Sequence, residues 1–277
     1  MSQTHPELIR LGTPPGLRDY LRSIWHRREL ATTIPLGQMK AQNQDTVLGN
    51  LWHLLNPLLL VGVYYLVFGL ILDVGDRGAD NYVAFLTAGL FTFFFTRKSV
   101  QSGAKAVVSN LGLIRSIKFP RAVLPIAAVL GEVLAMGPAV VAMVGVVTLT
   151  GERPRLMWLL IPAIYALQAV FNLGLAFVAA RATDHFHDIE HVLPYLLTIW
   201  MYLSGVFYEV NAYLTDETAL RLFKLNPAYV FMELVRGALL HGTTDAWLWL
   251  LASGWSLVAV GVGFAYFRAH EEAYGRG

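Results

Sequence analysis

The stretch KAQNQDTVLGNLWHLLNPLLLVGVYYLVFGLIL, Lys40 to Leu72, decides the fold class of this chain. A polar approach up to Asn50 precedes 22 residues, Leu51 to Leu72, that carry no charged side chain. At about 1.5 Å of rise per residue, a helix of that length crosses the ~30 Å hydrocarbon core of a bilayer. The stretch therefore predicts a first transmembrane span.

The composition of the 277 residues also indicates an integral membrane protein. The chain is 56% hydrophobic and 14% charged, whereas a soluble domain averages about 25% charged residues. The net charge of +2 is too small to indicate nucleic-acid binding. With no cysteine, the chain has neither disulfides nor thiolate metal sites. The first 50 residues hold no signal-peptide pattern, so the first span is expected to direct insertion.

Five further apolar stretches follow the first span, and turns or polar segments separate them. We predict spans at Tyr82 to about Val108, Val123 to Thr150, Leu156 to Ala180, Val192 to Tyr208, and Trp247 to Phe267. The second is charge-free only as far as Thr96, so its helix must continue through Arg97 and Lys98, whose charges can reach the interface. The expected fold is all-α: a cytoplasmic amino-terminal segment, residues 1–50, followed by a six-span domain, residues 51–277.

Two segments outside the spans have their own patterns. Arg18 to Ile34 places apolar residues near helical spacing beside basic ones, as in a helix that lies in the headgroup plane, and Pro35 and Gly37 are expected to end it. A helix packed on a soluble neighbour is the alternative. Asn226 to Gly242 is mostly apolar but too short and too charged to cross, which predicts a re-entrant or interfacial hairpin. The residues expected at the membrane surface are Arg22, Trp25, Arg27 and Arg28.

The distribution of Lys and Arg predicts the orientation. The segments before span one, between spans two and three, between four and five, and after six hold fifteen of these residues, and the opposite segments hold six. By the positive-inside rule, both termini lie in the cytoplasm.

Two features are candidates for chemistry, each with a structural alternative. His185, His187 and His191 lie with acids in the polar loop Arg181 to His191, and the spacing of the last two suits a metal site. The other histidines are isolated and no HExxH is present, so a solvated cytoplasmic turn is favoured. Glu132 is an acid about 16 Å into span three. It is a candidate proton-coupling group, or a residue that faces water or bonds to a neighbouring helix, which is favoured.

Aromatic residues concentrate in spans one, two and five. Many must belong to the interfacial belt, but rings on several spans at similar height can also line a passage and bind the apolar faces of sugars. The sequence has no phosphate-binding loop, no GxSxG motif and no paired-carboxylate motif, so the chain is not expected to hydrolyse ATP itself. The candidate lining residues are Tyr64, Tyr65, Phe68, Phe91, Phe94, Tyr202, Phe207 and Tyr208.

Four phrases carry a family resemblance. They are QDTVLGNLWHLLNPLL (Gln44 to Leu59), VVSNLGLIRSIKFPRAVLPI (Val107 to Ile126), FHDIEHVLPYLL (Phe186 to Leu197) and LNPAYVFMELVRGALL (Leu225 to Leu240). With them, nearly the whole chain resembles the membrane subunit of ABC-type polysaccharide exporters, the Wzm-like permeases for O-antigen, teichoic acid and mycobacterial galactan. His187 stands where the family usually has arginine, which weakens any role inferred for that loop.

The resemblance implies a homodimer in the bacterial inner membrane, joined by two copies of a separate chain that binds ATP and Mg²⁺. This chain itself would hold no cofactor. The coupling helix that docks on the ATPase would be Gly103 to Ile117. The helix Arg18 to Ile34 would flank that contact at the membrane surface. The re-entrant periplasmic gate would be Asn226 to Gly242. The cargo would be a glycan on polyprenyl diphosphate, moved between the protomers. Within this family, the excess of Arg over Lys indicates a high-GC source, which favours galactan as the cargo. The coupling residues would be Leu111, Leu113, Ile114, Arg115 and Ile117.

Two other function classes stay open from sequence. A membrane enzyme acting on lipid-linked substrates would use the 184–191 cluster, and a proton-coupled secondary transporter would use Glu132. The presence of an ATPase partner would distinguish an exporter from both the membrane enzyme and the secondary transporter.

Overall fold

The computed structural model describes residues 16–42, 51–72, 74, 80–117 and 119–269, and in these residues the chain is helical, with no strand. Two predicted segments fall largely outside them, the polar approach to span one and the turn after it. The α-helices are α1 (Leu17–His26), α2 (Arg28–Gln42), α3 (Leu51–Tyr64), α4 (Tyr82–Lys105), α5 (Leu111–Ser116), α6 (Val123–Leu149), α7 (Ile161–His185), α8 (Ile189–Tyr202), α9 (Val210–Tyr213), α10 (Glu217–Lys224), α11 (Pro227–Arg236) and α12 (Ala246–Arg268).

Four helices of the described chain are long and apolar enough to cross a membrane: α4, α6, α12, and α7 together with the 3₁₀ turn before it. They coincide with the predicted second, third, sixth and fourth spans, and α4 continues through both of its charges as expected. The other two predicted spans are shorter as regular helices. The first is α3 followed by a π-helical extension, Tyr65–Ile71, and the fifth is the 14-residue α8. The described helices thus support a multi-pass membrane protein, while the six-span count is a proposal.

The central helix of the bundle is α4, which packs on α6 and α7, with α3 and α8 beside it. Polar side chains fix its register against α7. The Gln168 amide donates to the Thr92 carbonyl at 2.9 Å and to the Thr96 hydroxyl at 2.8 Å, and Thr96 donates to Asn172 at 2.8 Å. All four residues are buried. Since lipid offers these groups no partner, such bonds hold two helices together in one alignment.

The last helix, α12, packs mainly on α7 at a contact between small residues. A Cβ atom added at Gly174 would lie 2.2 Å from the Ala259 carbonyl carbon, and one added at Gly263 would lie 2.2 Å from the Gly174 carbonyl oxygen. Without side chains there, the two backbones approach closely, which is how helices associate where lipid removes the hydrophobic driving force.

The amino-terminal helices depart from the sequence prediction. The predicted amphipathic helix is interrupted at Arg27, between α1 and α2. The helix α2 then continues through Pro35 and Gly37, where the sequence predicted its end, as far as Gln42. Pro35 is buried and faces Gly131 of α6, where a Cβ atom would lie only 3.0 Å from Pro35 Cβ, so the glycine allows a close approach. Burial against α6 therefore outweighs the helix-breaking tendency of proline.

The fifth predicted span also shifts along the chain. The polar loop is shorter than expected, since α7 continues to His185 and α8 begins at Ile189. The helix then ends at Tyr202 rather than Tyr208. Gly205, at φ +71°, turns the chain back in a left-handed conformation that other residues rarely adopt.

Candidate functional site

The chain re-enters the bundle between α8 and α12. Asn226 caps α11 by accepting a hydrogen bond from the Ala228 amide at 3.1 Å, and Pro227 occupies the first turn. The helix continues as a π-helical turn, Gly237–His241, and ends at Gly242 with φ +70°. Most of its side chains are buried against α4, α7 and α12. The predicted hairpin is therefore a helix packed inside the protein.

Arg236, at the end of α11, fastens this segment to the bundle. The side chain is 1% exposed. Its Nη2 donates to the carbonyls of Gly205 and Val206 at 3.1 and 3.0 Å, and its Nε donates to the Phe85 carbonyl at 3.4 Å. The guanidinium also lies 3.5 Å from the centre of the Phe85 ring. One cation thus joins α11 to α4 and to the turn after α8, through bonds of the charge-assisted kind.

A glycine on α4 makes room for that cation. A Cβ atom at Gly89 would lie 2.6 Å from Arg236 Nη2. Sequence reasoning did not select Arg236, although a charge within the mostly apolar stretch from Asn226 to Gly242 was the available signal. Glycine in an apolar helix gives no sign of the residue it accommodates.

Four of the eight candidate lining residues form one aromatic cluster, made by Tyr64, Phe68, Tyr202 and Phe207. Phe207 is its centre: its ring stacks on Phe68 with centroids 4.6 Å apart and lies 4.7 Å from Tyr64 and 5.0 Å from Tyr202. The cluster joins the first predicted span to the end of α8 and the turn after it. Ring pairs at these separations add to the free energy of burial.

The remaining candidates lie elsewhere. Tyr65 pairs with Tyr82 at 6.4 Å, Tyr208 pairs with Tyr213 at 5.6 Å, and Phe94 lies in a small cleft beside Glu132. Phe91 is buried in the core at 2% exposure and Phe207 at 1%. These last two rings face packed neighbours of the same chain, so neither offers a face to a passage outside the protomer. They are left out of the proposed lining.

Glu132 has a partner on the neighbouring helix. Ser102 of α4 donates to its carboxylate at 2.5 Å, across the contact between α4 and α6. The acid lines a narrow cleft of about 30 Å³ together with Lys98 and Phe94. This hydrogen bond joins α6 to α4 at Glu132.

The histidine loop is exposed and tied to α4 by an ion pair. His185, His187 and His191 all have exposed side chains, and across the described ranges no group of three His, Cys, Asp or Glu residues could hold a metal ion. Lys105, the last residue of α4, lies 2.7 Å from Glu190 in the first turn of α8. Its hydrogen bond holds the pKa of the Glu190 carboxyl below its usual range.

The connector between α4 and α6 forms the short helix α5 after a 3₁₀ turn at Val108–Asn110. Ile114 packs against an internal cluster around Tyr20 and Phe177, so part of the predicted docking set has an internal partner. Leu111 and Leu113 are half-buried, while Arg115 and Ile117 are exposed. The connector therefore keeps some of its apolar side chains at the surface.

The residues predicted to lie at the membrane surface are exposed on α1 and at its junction with α2. Trp25 is 68% exposed, Arg22, Arg27 and Arg28 are also exposed, and the Arg28 guanidinium lies 5.1 Å from the Trp25 ring centre. On the opposite face, Tyr20 is buried against Phe264 of α12 at 5.9 Å. One face of α1 thus packs on the bundle and the other is exposed.

Long apolar helices, a buried polar contact between two of them and a short helix, α11, held inside the bundle by a buried cation are typical of a multi-pass membrane protein. The chain belongs to the ABC-2 type transporter family, whose model matches residues 33–240. It is 26% identical to the O-antigen export system permease protein RfbA of Myxococcus xanthus over 92% of this chain and 97% of that protein.

Two proteins of the same name from Klebsiella pneumoniae are also similar. Each is 28% identical, one over 65% of this chain and 69% of the relative, the other over 78% and 82%. The resemblance to the membrane subunits of ABC exporters, stated from the four sequence phrases, is confirmed by these relatives.

Proposed function

We propose that this chain is the transmembrane subunit of an ATP-driven exporter that moves a polysaccharide on a polyprenyl diphosphate carrier from the cytoplasm to the outer face of the inner membrane. The similarity over 97% of an O-antigen export permease carries the proposal. The carrier, and a galactan or teichoic acid cargo as alternatives to O-antigen, rest on the sequence resemblance. The partner would be two copies of an ABC ATPase, which would bind ATP and Mg²⁺.

Reconstitution tests this function directly. The chain and its ATPase are placed in vesicles that contain lipid-linked glycan, and the glycan reaching the opposite leaflet is measured. We expect export that needs ATP and both chains. Export driven by a pH gradient without ATP would support a secondary transporter, and chemical conversion of the lipid-linked substrate by the chain alone would support a membrane enzyme.

The proposed topology has six crossings and cytoplasmic termini. The α3 helix with its π extension, Leu51 to Ile71, has 21 residues, and at about 1.5 Å each it reaches across the ~30 Å hydrocarbon core. The shorter α8 would enter from the cytoplasm and end inside the outer half of the membrane. From there the turn at Gly205 would lead through α9 and α10 to α11. On this topology, α11 is the outer gate segment.

Single cysteines test this orientation cleanly, because the chain has none. Both Glu217 and Gly112 are exposed. Glu217→Cys is expected to react with a membrane-impermeant maleimide added to intact cells, whereas Gly112→Cys is expected to react only after the membrane is opened. The opposite labelling pattern would invert the topology.

The ATPase is proposed to dock on the connector around α5. Leu113 is half-buried and, unlike Ile114, does not belong to the internal clusters of the described residues. A Leu113→Asp change is therefore expected to lower ATPase co-purification by about tenfold, since a charge would be desolvated in the contact. Membrane insertion should be normal.

The matched control for this change is Ser109→Asp. Ser109 is exposed on the 3₁₀ turn of the same connector. Equal ATPase recovery with Leu113→Asp and Ser109→Asp would move the docking surface elsewhere.

The glycan is proposed to pass between two protomers, along the exposed edge of the aromatic cluster at Tyr202, since Phe207 is buried. A polymer on a lipid carrier is too large for a six-helix bundle, and Tyr202 is 42% exposed at the open edge of the cluster. Ring faces contact sugars without requiring one register, so the chain can slide. Tyr202→Ala is expected to slow export by about threefold to tenfold, the loss of one weak contact, while ATP hydrolysis continues.

The control for the passage is Tyr195→Ala. Tyr195 is 73% exposed, two helical turns earlier on α8 and outside the cluster. If Tyr202→Ala exports at the parental rate, or if both variants slow export equally, the aromatic-lined path is wrong.

A further inference from the structure

A polar cavity lies beside the anchored helix, at the end of the bundle proposed as outer. Its volume is about 110 Å³, and it is formed where the start of α4, the segment after α6, α9 and α11 meet. The turn from Gly205 to Val210 separates it from the aromatic cluster: Phe207 faces the cluster, while Glu209 and Val210 line the cavity. The lining includes Asn81, Glu152, Glu209, Asn211, Glu233 and Arg236.

Some hydrogen-bond acceptors in this lining have no partner among the described residues. Among the described residues, the side chains of Glu209 and Asn211 make no hydrogen bond. Glu233 has only an ion-pair contact, 3.9 Å from Arg236. Glu209 precedes α9 without capping it. Carboxylates that no protein donor satisfies can accept bonds from a ligand that brings its own donors.

The charges of the cavity select the class of ligand. Four carboxylates, on Asp80, Glu152, Glu209 and Glu233, surround one cation, and they disfavour a phosphate or any other anion. Arg236 already donates through Nε and Nη2, and its Nη1, which lies 3.9 Å from the Glu233 carboxylate, makes no hydrogen bond to the described residues. Across the described residues, no cluster of three His, Cys, Asp or Glu ligands suits a metal. The chemistry fits a neutral ligand rich in hydroxyl groups.

We infer that this cavity is a subsite for one neutral sugar unit of the exported glycan, held as it leaves the aromatic cluster. The inference rests on the proposed export function and deepens it. Sugar hydroxyls would donate to the Glu209 carboxylate and the Asn211 amide oxygen and would accept from Arg236 Nη1. The diphosphate end of the cargo would be repelled from this cavity, so the subsite grips the sugar portion alone.

The test uses the permease with its ATPase in lipid nanodiscs, and two probes, methyl β-D-galactopyranoside and methyl α-D-mannopyranoside. Saturation-transfer difference NMR measures binding of each. We expect transfer to at least one pyranoside with the parental protein and a loss of about threefold with Glu209→Gln/Asn211→Ala, which corresponds to about 0.65 kcal/mol of binding free energy. Glu217→Gln is the control, since that carboxylate is 84% exposed and pairs with Arg221 outside the cavity.

Several results would overturn the subsite. They are no transfer to either pyranoside, equal transfer to the double variant, or full displacement by choline or calcium chloride, which would make the cavity a cation site. If the double variant does not assemble, the same comparison is made with Asn211→Ala, whose side chain is exposed. Export is measured separately in vesicles. Pyranoside binding without ATP-dependent export would retain the subsite and refute the exporter, while export with equal binding by all variants would do the reverse.

Discussion

Arg236→Lys is expected to uncouple the transporter, with export falling by about tenfold or more while ATP hydrolysis continues. A lysine ammonium cannot reproduce the planar fork that reaches the carbonyls of Phe85, Gly205 and Val206 together. At least one buried carbonyl would lose its donor, at a cost of about 1–3 kcal/mol each. Amide hydrogen exchange across 203–210 should become faster, since the turn would no longer be fastened to α11.

The matched control is Arg221→Lys. Arg221 lies on α10, is 80% exposed and pairs with Glu217 at 3.1 Å, so the same chemical change is made without loss of a buried contact. Gly89→Ala should behave as a milder form of Arg236→Lys, because the new methyl group displaces Nη2. Exchange and export identical in Arg236→Lys and Arg221→Lys would show that the buried cation does not fasten the re-entrant helix.

Gly174→Leu should prevent α12 from docking and reduce the folded protein in detergent to a small fraction. Even one added Cβ atom would meet the Ala259 and Val260 backbone within 2.5 Å, and backbone cannot move aside as a flexible side chain does. The milder Gly174→Ala is expected to destabilise by about 1–3 kcal/mol through overpacking. Size-exclusion chromatography and thermal unfolding measure both effects.

Gly261 of α12 provides the comparison, since no atom lies within 4 Å of a Cβ added there. Gly261→Leu should leave the elution profile unchanged and shift Tm by little. If Gly174→Leu elutes as the parental protein does, the close contact between α7 and α12 is not what holds the last helix.

The sequence predicted the long spans well, because their signal is local. A run of apolar residues bounded by charges places α6 and α12 within two residues of their observed limits. The breaks were harder, because tertiary contacts decide them. Pro35 is the example: its ring is accommodated by Gly131, almost a hundred residues away, so the proline alone predicted a break that does not occur.

The same difference between local signals and tertiary contacts applies to the candidate site. The aromatic residues of the first span and α8 were selected from composition, and four rings do meet. That Phe207 is the buried centre and Tyr202 the open edge depends on the turn at Gly205, which no local pattern encodes. Arg236 was not selected from the sequence because its partners are backbone carbonyls. Every residue type carries that group, so no pattern of side chains marks the partners.

The packing of α11 against the later helix α12 has a consequence for biogenesis. The chain leaves the ribosome amino end first, and the three carbonyls that accept from Arg236 all precede it in the sequence, so this anchor can close as soon as α11 emerges. One side of α11 packs against α12, which is synthesised later. Until that last helix inserts, α11 has an apolar face without its final cover, and a nascent chain stalled before Ala246 would offer that face to the insertion machinery and its chaperones.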